Sequence, residues 1–146
     1  MAATTSTVGN SRNVNWSRYA LVGIATIVAA VLANLVVYYI GSAIVGYNPD
    51  FVVLSTNGGT IIFTLVPAIV AVLLYAILLR FTRQPERIFT IISVIVFIVT
   101  LIPDFTYIPS VPGSSNPQTA ILVIMHVVAA VVITWMLTKL SRPRAQ

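Results

Sequence analysis

Long apolar runs separated by short polar punctuation dominate the chain. Residues 19–45, 60–80, 86–102 and 119–140 are nearly continuous Val, Ile, Leu, Ala and Phe. They show neither the alternation of a half-buried strand nor the broad polar face of a surface helix. A helix rising 1.5 Å per residue needs about 20 apolar residues to cross the hydrocarbon of a bilayer. The pattern therefore predicts four transmembrane helices over those ranges. The third is the shortest, and Pro85 suits its start, where a missing N–H would have had no partner. The expected fold is an all-α membrane protein, a four-helix up-down bundle over residues 18–141. A disordered tail, 1–17, precedes it, and a short tail, 142–146, follows.

The polar punctuation contains a repeated tripeptide. Pro-Asp-Phe occurs at Pro49 to Phe51 and again at Pro103 to Phe105, which uses two of only three acidic residues. Each follows an outward-running span. Proline disfavours helix in the residue before it, and aspartate suits turns while keeping its charge in water. Asp50 and Asp104 are thus expected at an external mouth, with Phe51 and Phe105 in the membrane interface. Thr60 with Thr119, Arg80 with Lys139 and Arg83 with Arg142 share one spacing. Duplication of a helical hairpin and convergence on a common exit both account for it.

Composition agrees with the bilayer as solvent. The chain is 58% hydrophobic and 8% charged, whereas soluble domains carry about 25% charged residues. With no cysteine there is no disulfide, thiolate metal site or palmitoyl anchor. The formal charge of +5 does not imply nucleic acid, because the cations follow topology. Arg12 and Arg18 precede the first span; Arg80, Arg83 and Arg87 join the second and third; Lys139, Arg142 and Arg144 follow the fourth. The other two connections carry no Lys or Arg, so both termini are expected to be cytoplasmic. Arg18, Arg80, Arg83, Arg87, Lys139 and Arg142 are read as membrane-surface anchors, with a specific anionic-lipid site as the alternative.

Intramembrane polar groups should face other helices. The predicted inner faces are Gly23, Ile27, Ala30, Asn34, Tyr38 and Gly41 in the first span and Thr60, Thr64, Pro67, Ala71 and Tyr75 in the second. In the third and fourth they are Thr90, Ser93, Phe97, Thr100 and Asp104, and Leu122, His126, Ala129, Ile133 and Leu137. Counted from the basic residues, Asn34, Thr64, Pro67, Thr100 and His126 fall in one layer, about 20 to 24 Å along their helices. Two readings follow. Asn34, Tyr38, Thr64, Pro67, Thr100 and His126 form an outward-facing pocket, or the polar groups bond to one another and to backbone and hold the helices in register. His126 is a structural hydrogen-bonding residue or a functional one; as a haem ligand it would lack a second histidine in this chain.

No Asp, Glu, Lys or Arg falls deep in a predicted span, unlike most ion-coupled transporters. There is no nucleophile-base pair, phosphate loop or carboxylate pair, so no catalytic residue is assigned and a non-enzymatic role is expected. No metal site is expected, and no cofactor. Pro67 with Arg80, Ile102-Pro103-Asp104 and Met125-His126-Val127-Val128-Ala129-Ala130 resemble a bacterial family of small four-helix integral membrane proteins of unknown function. The resemblance covers roughly residues 19–141 and implies a bacterial inner (plasma) membrane. The first functional reading is a noncatalytic structural or accessory subunit. Its partners would be the lipid bilayer, another membrane protein or further copies of itself. The alternatives are binding or transport of a neutral or lipophilic small molecule around Asn34 and His126, and a haem- or quinone-linked membrane protein.

Overall fold

The computed structural model describes residues 14–141. Among them are α1 (Trp16–Val45), α2 (Asn57–Phe81), α3 (Pro85–Thr106), a 3-10 turn (Ile108–Ser110) and α4 (Asn116–Leu140), with no strand. All four helices are long and apolar enough to cross a membrane, which makes the chain a multi-pass helical membrane protein. Side chains such as Leu21 (70% exposed), Phe63 (70%) and Phe81 (78%) cover the outside, a surface suited to acyl chains and not to water. Arg12, Arg142, Arg144 and most of the two expected tails lie outside the described residues.

Local chemistry sets the helix ends, and each helix is longer than the apolar run that announces it. α1 begins at Trp16, so Trp16 and Ser17 belong to the helix and not to the tail. Asn15 caps it, its Oδ1 accepting the Arg18 N–H at 3.0 Å. Gly46, at φ +67°, ends it with its N–H on the Ser42 carbonyl. α2 starts at Asn57 and α4 at Asn116, polar residues that the hydropathy pattern had left in loops. Gly59 has a positional reason: a Cβ there would lie 2.9 Å from the Val53 carbonyl oxygen.

The second Pro-Asp-Phe does not terminate its helix. α3 runs through Pro103, Asp104 and Phe105 to Thr106. A proline near a helix end removes only one N–H bond, and the following turn closes when the Tyr107 N–H reaches the Pro103 carbonyl at 2.9 Å. Burial of Asp104 and Ile108 holds this extra turn against the bundle.

Sequential neighbours run antiparallel. Asn34 meets Thr64, Gly23 meets Val72, and Tyr19 donates to the Val72 carbonyl, so α1 and α2 lie side by side. α1 also packs on α4, with Arg18 bonded to the Leu140 carbonyl and Gly41 against Ile121. Asp104 meets His126 between α3 and α4. Of the four, α3 is the least embedded.

Two apolar clusters result. Tyr19, Ala30, Ala68, Tyr75, Phe89 and Leu137 fill the end that carries both chain ends. Tyr38, Phe51, Leu54, Ile108, Leu122 and Met125 fill the other. Phe51 and Leu54 are fully buried plugs, so Phe51 is not the interfacial residue expected from sequence, while Val52 between them is 75% exposed. The second loop closes over the first, since Gly113, at φ +74°, would place a Cβ 2.8 Å from the Phe51 nitrogen.

Candidate functional site

Between the two clusters lies a cavity of about 560 Å³. Asn34 of α1, Thr64 and Pro67 of α2, Thr100 and Asp104 of α3 and His126 of α4 all contribute to its wall. Counting along the helices places all of these except Asp104 in one layer. Most of the remaining lining is apolar, including Phe97, Met125 and Ile133.

The polar groups are only partly satisfied. Asn34, 4% exposed, donates from Nδ2 to Thr64 Oγ1 at 2.9 Å, and Thr64 donates in turn to the Thr60 carbonyl at 2.7 Å. Asn34 Oδ1 has no partner. His126 Nδ1 lies 2.9 Å from the Leu122 carbonyl, which can only accept, so Nδ1 carries the proton. Asp104 Oδ2 approaches the same Nδ1 at 3.2 Å, yet it receives no hydrogen bond. The two findings agree once direction is considered: a single N–H aimed at Leu122 leaves the carboxylate in a charge contact without a donor. Buried polar atoms are nearly always paired, because an orphan costs about 1 to 3 kcal/mol. Two orphan acceptors, themselves covered, belong to residues that line one cavity, and a hydrogen-bond donor there would satisfy them once a side-chain rotation uncovered them.

Other expected positions differ. Tyr38 is buried but does not reach the cavity; its hydroxyl donates to the Leu54 carbonyl at 3.1 Å and its ring contacts Tyr47. Asp50 sits in the exposed first loop, and Asn48 Oδ1 accepts its N–H at 3.0 Å. Asp104, expected in water at an external mouth, is 4% exposed inside the bundle. Helical register from Phe97 and Thr100 had also placed it on the inner face, and burial favours that reading over the turn signal. Pro67 and Thr100 touch the cavity but are exposed, not packed between helices; the Thr100 hydroxyl bonds to the Phe97 carbonyl at 2.9 Å. Of the four polar groups in the register reading, Thr64, Thr100 and His126 bond to backbone carbonyls of their own helices, and Asn34 to Thr64 is the side-chain bond among them that joins two helices. Gln118, 2% exposed with an unpartnered Oε1, went unnoticed in the sequence, although it precedes Leu122 and His126 at steps of four.

The exposed wall residues locate the opening. Phe63 and Pro67 on α2, Thr100 on α3 and Tyr107 just beyond the end of α3 line the cavity while remaining exposed. α2 and α3, which meet through the rings of Tyr75 and Phe89 at 4.9 Å, therefore do not seal against each other at the level of the cavity, and it communicates sideways with whatever surrounds the helices. Leu54 and Ile108 cover its end.

Among the expected anchors, Arg80, Arg83, Arg87 and Lys139 are exposed at the end of the bundle that carries both chain ends, and Arg18 holds the Leu140 carbonyl there. Arg142 lies outside the described residues. Among those residues no three His, Cys, Asp or Glu side chains gather to hold a metal ion.

Comparison with known proteins gave one match: the model of a Family of unknown function (DUF6069) covers residues 14–143. No curated protein and no solved structure matched the chain.

Proposed function

The chain belongs to that family, whose function is itself unknown, and from the geometry we propose that it binds a lipophilic small molecule carrying a hydrogen-bond-donating head. The ligand enters from the bilayer between α2 and α3 and rests in the cavity against Asn34, Asp104 and His126. One observation carries the reading: a buried carboxylate oxygen without a donor, on a residue that lines a largely apolar cavity. About 560 Å³ lies within the usual 300 to 1,000 Å³ of small-molecule sites. In this reading both termini face the cytoplasm of a bacterial cell and the capped end of the cavity faces outward. The one-sided distribution of cations supports that orientation.

The test uses 1-aminoanthracene, a fluorescent apolar amine, titrated into detergent-purified protein. Saturable enhancement above the micelle background is expected, and Ala129→Phe or Thr100→Trp should abolish it by filling the space. The proposal fails if wild-type protein gives no saturable signal or if both filled variants titrate as wild type. An empty cavity would return weight to the noncatalytic structural or accessory subunit reading, and a Soret band in the purified protein would favour the haem-linked one.

A further inference from the structure

A second concavity lies at the opposite end, between the start of α3 and the end of α4, with a volume of about 1020 Å³. Its rim carries Arg83, Arg87 and Lys139 against a single carboxylate, Glu86. Below the rim the walls become apolar: Val94 and Phe97 on α3, Val127 and Val131 on α4.

Charge and depth together select the occupant. From Arg87 to Phe97 the helix descends about 15 Å, which is half the roughly 30 Å hydrocarbon of a bilayer. The groove thus combines a cationic rim with an apolar trough one leaflet deep. Trp135 lines the same wall while remaining 57% exposed, as expected of an indole at headgroup level. A soluble phosphate would use the rim alone and leave the trough empty. We propose that this groove is a binding site for one anionic phospholipid, its phosphate between Arg83, Arg87 and Lys139 and an acyl chain between α3 and α4. Its cationic rim lies outside the proposed ligand cavity, while its deep end shares Ser93, Phe97, Ala130 and Thr134 with that cavity's wall.

The experiment exposes the purified full-length chain to an equimolar mixture of dioleoyl phosphatidylglycerol and dioleoyl phosphatidylcholine and counts retained lipids by native mass spectrometry. Wild-type protein should keep phosphatidylglycerol preferentially. At about fivefold per cation near a membrane surface, the Arg83→Gln, Arg87→Gln double variant should lose about 25-fold in that preference. Arg80→Gln, which removes a charge at the same end but outside the groove, should change it less than twofold. Thr90→Phe keeps every charge, obstructs the trough away from the other cavity, and should displace the lipid while leaving 1-aminoanthracene binding unchanged. Equal retention of both lipids, an Arg80→Gln effect as large as that of Arg87→Gln, or full retention by Thr90→Phe would overturn the assignment.

Discussion

Replacing Asn34 by leucine separates a binding residue from a register device, because the two roles predict opposite signs. Leucine reproduces the branched outline of asparagine without its polar atoms. The substitution removes the Asn34 to Thr64 bond of 2.9 Å, and interhelical bonds of this kind contribute about 0.6 kcal/mol on average, at most about 1.7. Thr64 is not left unpaired, since its hydroxyl keeps the Thr60 carbonyl at 2.7 Å. At the same time the unpartnered Asn34 Oδ1 disappears, which relieves about 1 to 3 kcal/mol. The second effect wins, so Asn34→Leu should stabilise the ligand-free protein by about 1 kcal/mol while weakening 1-aminoanthracene binding. Thr64→Val, by contrast, orphans Asn34 Nδ2 and should destabilise; in the Asn34→Leu background it should be nearly neutral. Reversible unfolding in mixed detergent and SDS micelles, followed by far-UV circular dichroism, measures all four corners of this cycle. A loss of more than about 1 kcal/mol for Asn34→Leu would refute the reasoning.

Three further outcomes are expected. Gly113→Ala should cost at least about 1 to 2 kcal/mol from its positive φ alone, and more from contact with the Phe51 nitrogen 2.8 Å away, read by the same unfolding curves. In the first loop, burial and then the nearby Tyr38 ring push the Tyr47 phenol from 10.0 up to about 12. Because the folded value is raised, its contribution to stability is complete below pH 10 and is lost as pH rises through about 12. Phenolate absorbance of native protein should show this late step, and Tyr47→Phe should remove it. Finally, the chain lacks cysteine, so Ser114→Cys and Gln84→Cys give background-free probes of orientation. An impermeant maleimide should label the first from outside intact cells and not the second, and the reverse pattern would invert the topology.

The helices and much of the cavity wall are legible in the sequence. Asn34, Thr64 and His126 interrupt apolar runs at steps of three and four, and in hydrocarbon a polar group has few alternatives to facing inward. Asp104 was ambiguous because two local rules disagreed: its register placed it inside, and its Pro-Asp-Phe context placed it in a turn. Pro67 and Thr100 fit the periodicity yet stay exposed, since periodicity gives a direction around one helix and not the distance to the next.

What the sequence determined by itself is the solvent and the partition: apolar length requires four helices, because hydrocarbon tolerates neither unpaired backbone nor charge, and the placement of the cations predicts that both termini face one side. What only the tertiary structure decided is the gap between α2 and α3, the burial of Asp104 beside His126, and the plug formed by Phe51 and Leu54. Those features depend on how far each helix leans from its neighbours. Every apolar face is equally content against lipid or protein, so composition leaves that spacing open and side-chain packing fixes it.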